Sequence, residues 1–330
     1  MIDRRTFVCT AAAAVAVAGL QAYAQPAGRV YRVGILRSTA PPKSVDRFTA
    51  ESVLPVALGK MGYVIGRNLV IEWRYADGDL QRLPVLAREL VQMQVDVIIA
   101  VAGVAIRAAK EATVTIPIIF LGNLDPVAAG YVASLARPGR NVTGVLIAPN
   151  GTLAAKKLEL LKETVPRAKR IAVLAPEDAT ISPSQLLELQ PAAAALGIKL
   201  SAVTVRNNDY ADAFARIATT RPDALFFLAT PNFMRDRSAI IDLTLKHLLP
   251  AIWEWREQVE DGGLMAYGSS FLERYQRIAE YVDRILRGAN PGELPVDQPT
   301  KFGLVINLTT AKALGLTISK SLLLRADIIE

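Results

Sequence analysis

The stretch Val95-Asp96-Val97-Ile98-Ile99-Ala100-Val101 is an almost continuous apolar run. A run without the alternation of a half-exposed strand is typical of a parallel strand that helices cover on both faces. Short apolar runs alternate with helical patterns on either side of it. We predict strands at 31–36, 69–75 and 116–121, and helices at 45–61, 80–93, 105–112 and 127–135. This alternation predicts an α/β fold with parallel sheets.

The second half of the chain repeats the pattern of the first half. Four segments match in the same order: 32–36 with 170–174, 58–59 with 196–197, 95–99 with 222–226, and 116–120 with 249–253. The alternative is a chance match between turn and strand-end residues that are common in α/β proteins. We favour two similar, doubly wound parallel-sheet lobes, because chance matches would not keep one order.

The chain after Trp253 does not fit a third copy of this pattern. It contains a strand-like run at 264–267, a long amphipathic helix at 271–287 and a further strand at 302–307. We therefore predict that the chain returns to both lobes through a hinge of several segments. The first lobe is assigned residues 30–147 plus 264–288, and the second lobe is assigned 148–263 plus 289–330.

The first 24 residues have the features of an export signal. Arg4 and Arg5 precede a short apolar run, and Ala22-Tyr23-Ala24 forms a small-x-small cleavage site, so we predict cleavage after Ala24. The segment Arg4-Arg5-Thr6-Phe7-Val8 is similar to the twin-arginine signal, with general secretion as the alternative. Its apolar run is too short to span a bilayer, which needs about 20 residues. We expect a mature protein in the periplasm that is not inserted in the membrane.

Composition excludes several functional classes. The chain of 330 residues is 52% hydrophobic and 21% charged, enough for two packed domains. Its net charge of +7 comes from basic residues dispersed among acidic ones, which argues against nucleic-acid binding. One Cys (Cys9) and one His (His247) exclude a Cys/His zinc cluster and a Cys–His dyad. The phosphate-loop, dinucleotide-binding and Gly-x-Ser-x-Gly motifs are absent, so we expect neither catalysis nor a cofactor or metal.

Ligands of open parallel sheets bind beyond the carboxyl ends of the strands, so the loops there are the candidate site. Several alternatives stay open: Asn123 and Asp125 as caps of a helix near Pro126, Gly103 as a tight turn, and Arg37 as a surface residue. The predicted ligand-binding residues are Arg37, Ser38, Gly103, Asn123, Asp125, Thr230, Asn232, Trp255 and Tyr267. Together they predict one cleft between the lobes that holds a small molecule.

Short motifs along nearly the whole chain carry a resemblance to a known family. They include 62–68 (GYVIGRN), 82–87 (RLPVLA), 125–127 (DPV), 137–144 (RPGRNVTG), 157–161 (KLELL), 262–268 (GGLMAYG) and 298–307 (QPTKFGLVIN). The chain resembles bacterial ABC-transporter substrate-binding proteins with a type I periplasmic-binding fold, whose relatives include a tryptophan/tyrosine-binding transport component. The resemblance implies a binding protein rather than an enzyme, with three segments linking its lobes.

The same resemblance implies capture of a small solute and its delivery to an inner-membrane permease with a cytoplasmic ATPase. We expect a monomer. Relatives often carry Thr-Gly-Gly-Thr where this chain has Val101-Ala102-Gly103-Val104, and a small polar residue in place of Arg37. The lost hydroxyls leave the ligand open between an amino acid and another aromatic or carboxylate compound. A ligand-sensing protein without transport, or a secreted carboxylate enzyme using Asp125 and Glu254, are the alternative functions.

Overall fold

The structure is a computed structural model that describes residues 29–148, 153–176, 182–206 and 208–330. Residues Tyr31–Glu330 form one compact unit that contains two sheets. The predicted export signal, Met1–Ala24, lies outside the described residues.

The first sheet has five strands, all parallel, in the order β2-β1-β3-β4-β5. The strands are β1 (Tyr31–Arg37), β2 (Leu69–Tyr75), β3 (Val97–Val101), β4 (Ile118–Gly122) and β5 (Val142–Leu146). Helices α1 (Ala50–Gly59), α2 (Leu83–Gln92) and α3 (Gly103–Ala112) connect the first four. Every residue of β3 is buried, and successive residues pack into cores on opposite faces of the sheet. The apolar run that predicts a doubly covered strand is therefore β3.

The second sheet has seven strands in the order β12-β11-β10-β9-β8-β6-β7. Its strands are β6 (Arg170–Pro176), β7 (Lys199–Val205), β8 (Ala224–Phe227), β9 (Ala251–Trp253), β10 (Met265–Gly268), β11 (Gly303–Asn307) and β12 (Ala326–Ile329). All neighbours are parallel except β10 and β11. The helices around it are α4 (Leu153–Thr164), α5 (Ser182–Ala195), α6 (Tyr210–Thr220), α7 (Pro231–Arg235), α8 (Arg237–Lys246), α9 (Arg256–Glu260), α11 (Leu308–Ala313) and α12 (Lys320–Leu323). The two-sheet α/β architecture predicted from the sequence is confirmed.

The long helix α10 (Phe271–Leu286) returns to the first sheet. Its buried residues Tyr275, Ile278 and Val282, at helical spacing, join the core that α1 covers. We use "first lobe" and "second lobe" for the residues packed on the first and second sheets. The chain therefore passes from the second lobe to the first at α10 and returns to the second at β11.

Two segment assignments differ from the sequence-based ones. The strand predicted at 264–267 for the first lobe is β10, which pairs with β9 and β11 in the second sheet. A short βαβ crossover through α9 brings it back beside β9, the usual result of such a connection. Residues 289–297, assigned to the second lobe, lie against the first, where Asp297 exchanges backbone hydrogen bonds with Gly144 and Leu146. We propose crossings near 269–270 and 298–302.

The crossing segments are joined by polar contacts. The Ser269 hydroxyl donates to the carbonyl of Ile147 at 3.0 Å. Glu257 of α9, which is 1% exposed, accepts from the Ser270 hydroxyl at 2.7 Å and from the backbone N–H groups of Phe271 and Leu272. A second-lobe carboxylate therefore caps the amino end of α10, where the helix dipole favours negative charge.

Candidate ligand-binding cleft

The loop that follows β1 meets the helices that follow β8. Arg235, at the end of α7, donates from Nη1 to the carbonyl of Ala40 at 3.5 Å. Arg47 and Asp261 approach each other at 3.5 Å between Nη2 and Oδ1. The first contact joins the segments that follow the carboxyl ends of β1 and β8, the position where α/β folds bind ligands. The second adds Asp261, between α9 and β10, to the contact between the lobes.

Arg237 is a buried arginine that contacts both lobes. Its guanidinium is 3% exposed, and it donates to Oδ2 of Asp261 in the second lobe (2.6 Å) and to Oδ2 of Asp46 in the first (2.7 Å). Its third contact is with the carbonyl of Met234, and it lies 5.5 Å from the centre of the Phe48 ring. One buried cation thus binds carboxylates of both lobes.

Arg37 lies at the carboxyl end of β1 and is 6% exposed. Its Nη1 donates to Oε1 of Glu51 at 3.2 Å, and the Tyr75 hydroxyl donates to the same oxygen at 2.6 Å. Burial, followed by this hydrogen bond, raises the pKa of Tyr75 far above its usual value, so the phenol stays a donor at physiological pH. The Nε of Arg37 and the hydroxyl of Thr39 are both buried, and neither has a hydrogen-bond partner.

A small cavity separates the two walls. Its lining combines Arg37 and Glu51 of the first lobe with Arg235 and Arg237 of the second, together with Ala40, Pro42, Phe48, Thr49, Ala50, Met234 and Phe271. It has room for about 20 Å³, which is close to the space of one water molecule. The lobes are therefore in close contact at this point.

Three predicted residues of the second lobe follow β8 and β9 but do not line this cavity: Thr230, Asn232 and Trp255. Thr230 caps α7, and the Oδ1 of Asn232 is buried without a partner. Trp255 is 4% exposed and meets the Phe271 ring edge-on at 5.6 Å between centres. Because Trp255 and Met234 belong to the same apolar cluster as α1 and α10, the contact between the lobes is apolar as well as ionic.

Glu254, between β9 and Trp255, is held by an internal cation. Its Oε2 accepts from Lys157 Nζ of α4 at 2.6 Å, and both side chains are under 9% exposed. Lys157 also lies 4.7 Å from the centre of the Phe226 ring. Breaking such a pair leaves a buried charge uncompensated, so Glu254 is committed to the second-lobe core.

The remaining predicted residues lie near strand ends but outside this cavity. Ser38 and Gly103 offer backbone carbonyls to Gly78 N–H and to the Tyr131 hydroxyl, and Asn123 is partly exposed after β4. Asp125 is exposed, and its Oδ1 accepts from the N–H groups of Val127 and Ala128 at 3.0 Å. Asp125 therefore caps a turn, and the helix predicted at 127–135 is absent because the chain there forms turns.

Tyr267 is placed away from the other predicted residues. Its ring packs near Phe302, 6.4 Å between centres, in a separate cavity of about 270 Å³ beside Lys156 and Arg325. Successive side chains of a strand lie on opposite faces of the sheet. Tyr267 packs against the hydrophobic cluster on the face of the second sheet that α4 covers. Sequence position alone did not fix that face.

The cavity walls also contain residues that sequence reasoning missed: Glu51, Met234, Arg235, Arg237 and Phe271. The closely spaced charges Arg235-Asp236-Arg237, directly after Thr230 and Asn232, were the available signal. Nothing local indicates their partners, since Asp46 and Arg237 are 191 positions apart.

A larger cavity of about 820 Å³ lies elsewhere on the first lobe. Its lining includes Thr113, Val114, Arg140 and Asn141, which precede β4 and β5. Because these residues lie at the amino ends of the strands, we do not place the ligand site there.

Two further observations concern metal ligands and membrane-spanning helices. Among the described residues, no three His, Cys, Asp or Glu side chains are grouped as metal ligands. Within the same part of the chain, no helix has the length and apolarity needed to cross a membrane.

Comparison with known proteins adds to this geometry. The family profile described as ABC transporter substrate binding protein matches residues 48–329. The chain belongs to this family. It is 28% identical over 261 residues to a tyrosine-binding protein of Clostridioides difficile (strain R20291), covering 79% of this chain and 74% of that protein.

Solved structures agree in fold. A conserved domain protein from Vibrio cholerae superposes with a TM-score of 0.78 at 30% identity, covering 92% of this chain and all of the other. An ABC domain from Streptococcus pneumoniae in complex with L-Trp gives a TM-score of 0.76 at 24% identity, covering 91% and 100%. The fold of this family member is that of type I periplasmic binding proteins.

Proposed function

We propose that this protein is the periplasmic solute-binding component of an ABC importer. It captures a small organic ligand, an amino acid or an aromatic or carboxylate compound, between two closing lobes. The observation that carries the proposal is Arg237, a buried cation in the segment after β8 that binds Asp46 of the first lobe and Asp261 of the second. Such contacts form when the lobes close and are lost when they part.

Closure explains how the site works. A cavity of about 20 Å³ admits no organic solute, so the lobes separate before a ligand enters. The hinge segments that join the sheets permit this rotation, and a ligand that contacts both walls shifts the equilibrium toward the closed state. Arg37, Ser38, Gly103, Asn123 and Asp125 contribute from the first lobe. Thr230, Asn232 and Trp255 contribute from the second.

The partners follow from family membership and the export signal. The mature protein is released to the periplasm after Ala24 and acts as a monomer. It delivers its ligand to an inner-membrane permease driven by a cytoplasmic ATPase. Because relatives include a tyrosine-binding protein and a structure with L-Trp, aromatic amino acids and their analogues are the first candidates.

The two acidic residues of the enzyme alternative, Asp125 and Glu254, already bind other groups, which argues against catalysis. Glu254 is neutralised by Lys157, and the Asp125 carboxylate caps a backbone turn. A carboxylate pair for hydrolysis needs two groups that face a common space. These two groups have other partners.

The test is to unfold the purified mature protein and identify by mass spectrometry any small molecule that it releases. The identified compound is then returned to the apo protein in small-angle X-ray scattering. We expect a single organic solute, and a radius of gyration that falls on its addition. No released or binding compound, or no change in shape on binding, contradicts capture by closure. Loss of uptake of that solute in a deletion strain separates transport from the sensor alternative.

A further inference from the structure

We infer that the ligand of this cleft carries a net negative charge and that Arg37 is its anion receptor. The inference rests on the proposed function and deepens it, because it names the charge class of the solute. It concerns an anion such as a carboxylate without a compensating ammonium group.

The first observation is the state of the Arg37 side chain. Arg37 is only 6% exposed. Its Nη1 donates to Glu51, but its Nε is buried without a hydrogen-bond partner. A buried guanidinium donor without an acceptor is costly, and an anion supplies charge-assisted, bidentate acceptors for it. Arg37 lines the cavity between the lobes, so its position is that of a ligand contact.

The second observation is how Glu51 is used. One of its oxygens, Oε1, accepts from both Arg37 and the Tyr75 hydroxyl. These two donors orient the carboxylate toward the arginine, so Glu51 positions Arg37. Tyr75 comes from β2 and Glu51 from α1, which makes the orientation a property of the first-lobe framework.

The third observation is the charge of the cavity wall. Arg37, Arg235 and Arg237 line it together with one carboxylate, Glu51. Arg235 is paired with Asp236, and Arg237 with Asp46 and Asp261, so Arg37 is the lining arginine that keeps a buried donor without a partner. The nearby second-lobe carboxylates are already bonded: Asp236 to Arg235 and Tyr210, Asp261 to Arg237, and Glu254 to Lys157. Within the described residues, the wall therefore offers an unused cationic donor and carboxylates that already have partners.

The test uses probes that share a ring and differ in charge. Binding to the apo mature protein is measured by calorimetry for 3-phenylpropionate, L-phenylalanine and 2-phenylethylamine, and for the matching indole set of 3-indolepropionate, L-tryptophan and tryptamine. We expect a carboxylate to bind at least about tenfold more tightly than its amino acid. Arg37→Gln weakens that carboxylate by about 10- to 100-fold, the loss of a hydrogen bond to a charged group.

A second variant keeps the test valid if Arg37→Gln does not fold. Glu51→Gln retains an acceptor for Arg37 and Tyr75 but removes the negative charge, so carboxylate affinity stays equal or rises. Under a zwitterion alternative, Glu51 receives the ligand ammonium, and Glu51→Gln weakens amino-acid binding. The matched control is Arg74→Gln, which removes a first-lobe arginine paired with Glu89 outside the cavity and leaves affinity unchanged.

The outcomes separate the two proposals. Tight amino-acid binding that Glu51→Gln weakens overturns the anion inference and leaves solute capture standing. A neutral or cationic compound released from the purified protein does the same. No binding by any probe overturns the inference, and the absence of any released compound as well contradicts the proposed function.

Discussion

Replacing Asp46 with Asn tests whether the Arg237 contacts bias the lobes toward closure. The change removes the negative charge that faces Arg237 across the lobes at 2.7 Å. It keeps an acceptor for the Phe48 N–H, which Asp46 Oδ1 binds at 2.8 Å, and leaves the Arg237–Asp261 pair intact. The expected effect is therefore confined to the contact between the lobes.

The magnitude follows from burial. Two unit charges about 4 Å apart interact by about 4 kcal/mol at an effective dielectric constant of about 20. The Asp46 side chain is 41% exposed, and exposed ion pairs yield only about 0.2–1 kcal/mol because water competes. Because the Arg237 side chain is only 3% exposed, the pair is stronger than a fully exposed one. The upper limit is a buried hydrogen bond to a charged group, which contributes about 1.5–3 kcal/mol. We expect a loss of about 1 kcal/mol, or about fivefold in the open–closed equilibrium.

The assay is fluorescence energy transfer between dyes on Lys60→Cys in the first lobe and Lys246→Cys in the second, both exposed positions. The single native cysteine, Cys9, precedes the predicted cleavage site, so the mature chain is labelled only where intended. Asp46→Asn lowers the high-transfer population and raises the apparent Kd by a similar factor. The control Asp212→Asn breaks a pair with Arg216 inside the second lobe and should change neither. Identical transfer in Asp46→Asn and the parent would refute the reasoning.

Three further predictions concern the stability of the folded protein. Lys157→Met leaves Glu254 buried without its cation and lowers the free energy of unfolding by about 3–5 kcal/mol in chemical denaturation. The double variant with Glu254→Gln recovers most of the loss, and an unaffected single variant would disprove the buried pair. Ala102 has φ 76° and ψ 152°, a conformation that glycine adopts without strain. Ala102→Gly therefore raises the free energy of unfolding by about 1 kcal/mol, which is measured as a higher denaturation midpoint. A lower midpoint contradicts the strain. Burial and a hydrogen bond to Asp283 raise the pKa of Tyr63 to about 12. Its protonated form therefore stabilises the fold fully below the unfolded value near 10, and this contribution is lost as pH rises from 10 to 12. Tyr63→Phe should flatten the pH dependence of unfolding in that window, whereas parallel curves for both proteins would count against it.

The fold was predictable because its signals are local. The buried run of β3 and its counterpart at β8 specify doubly covered parallel strands, and their order repeats. The failures arose where tertiary context decides. Asp125-Pro126 begins a single helical turn, in which Ala129 N–H donates to the Asp125 carbonyl. The turn ends because Gly130 adopts φ 68°, so the Pro126 carbonyl accepts from Tyr131 and Val132 and the helix does not continue.

One of the predicted residues, Arg37, lines the cavity between the lobes, but its interactions there were not predicted. A strand end predicts where Arg37 lies, because the carboxyl edge of a parallel sheet faces the cleft. Its partners Glu51 and Tyr75 come from separate elements, and the face of Tyr267 depends on the register of β10. The ion pairs of Arg237 join residues from both halves of the chain, a relation that spacing along one sequence does not encode.

The return of α10 to the first sheet bears on how the protein folds during synthesis. The five strands of that sheet are complete at Leu146, but one of its faces is covered by Tyr275, Ile278 and Val282. At about 5–20 residues per second, roughly 7–30 seconds pass before the ribosome supplies them. Until then the nascent first lobe exposes Ile119 and Val145, which lie on strands that α10 contacts, to water, which favours chaperone binding and delays compaction. The order of segments along the chain thus gives the first lobe a period during synthesis in which one face of its sheet stays uncovered.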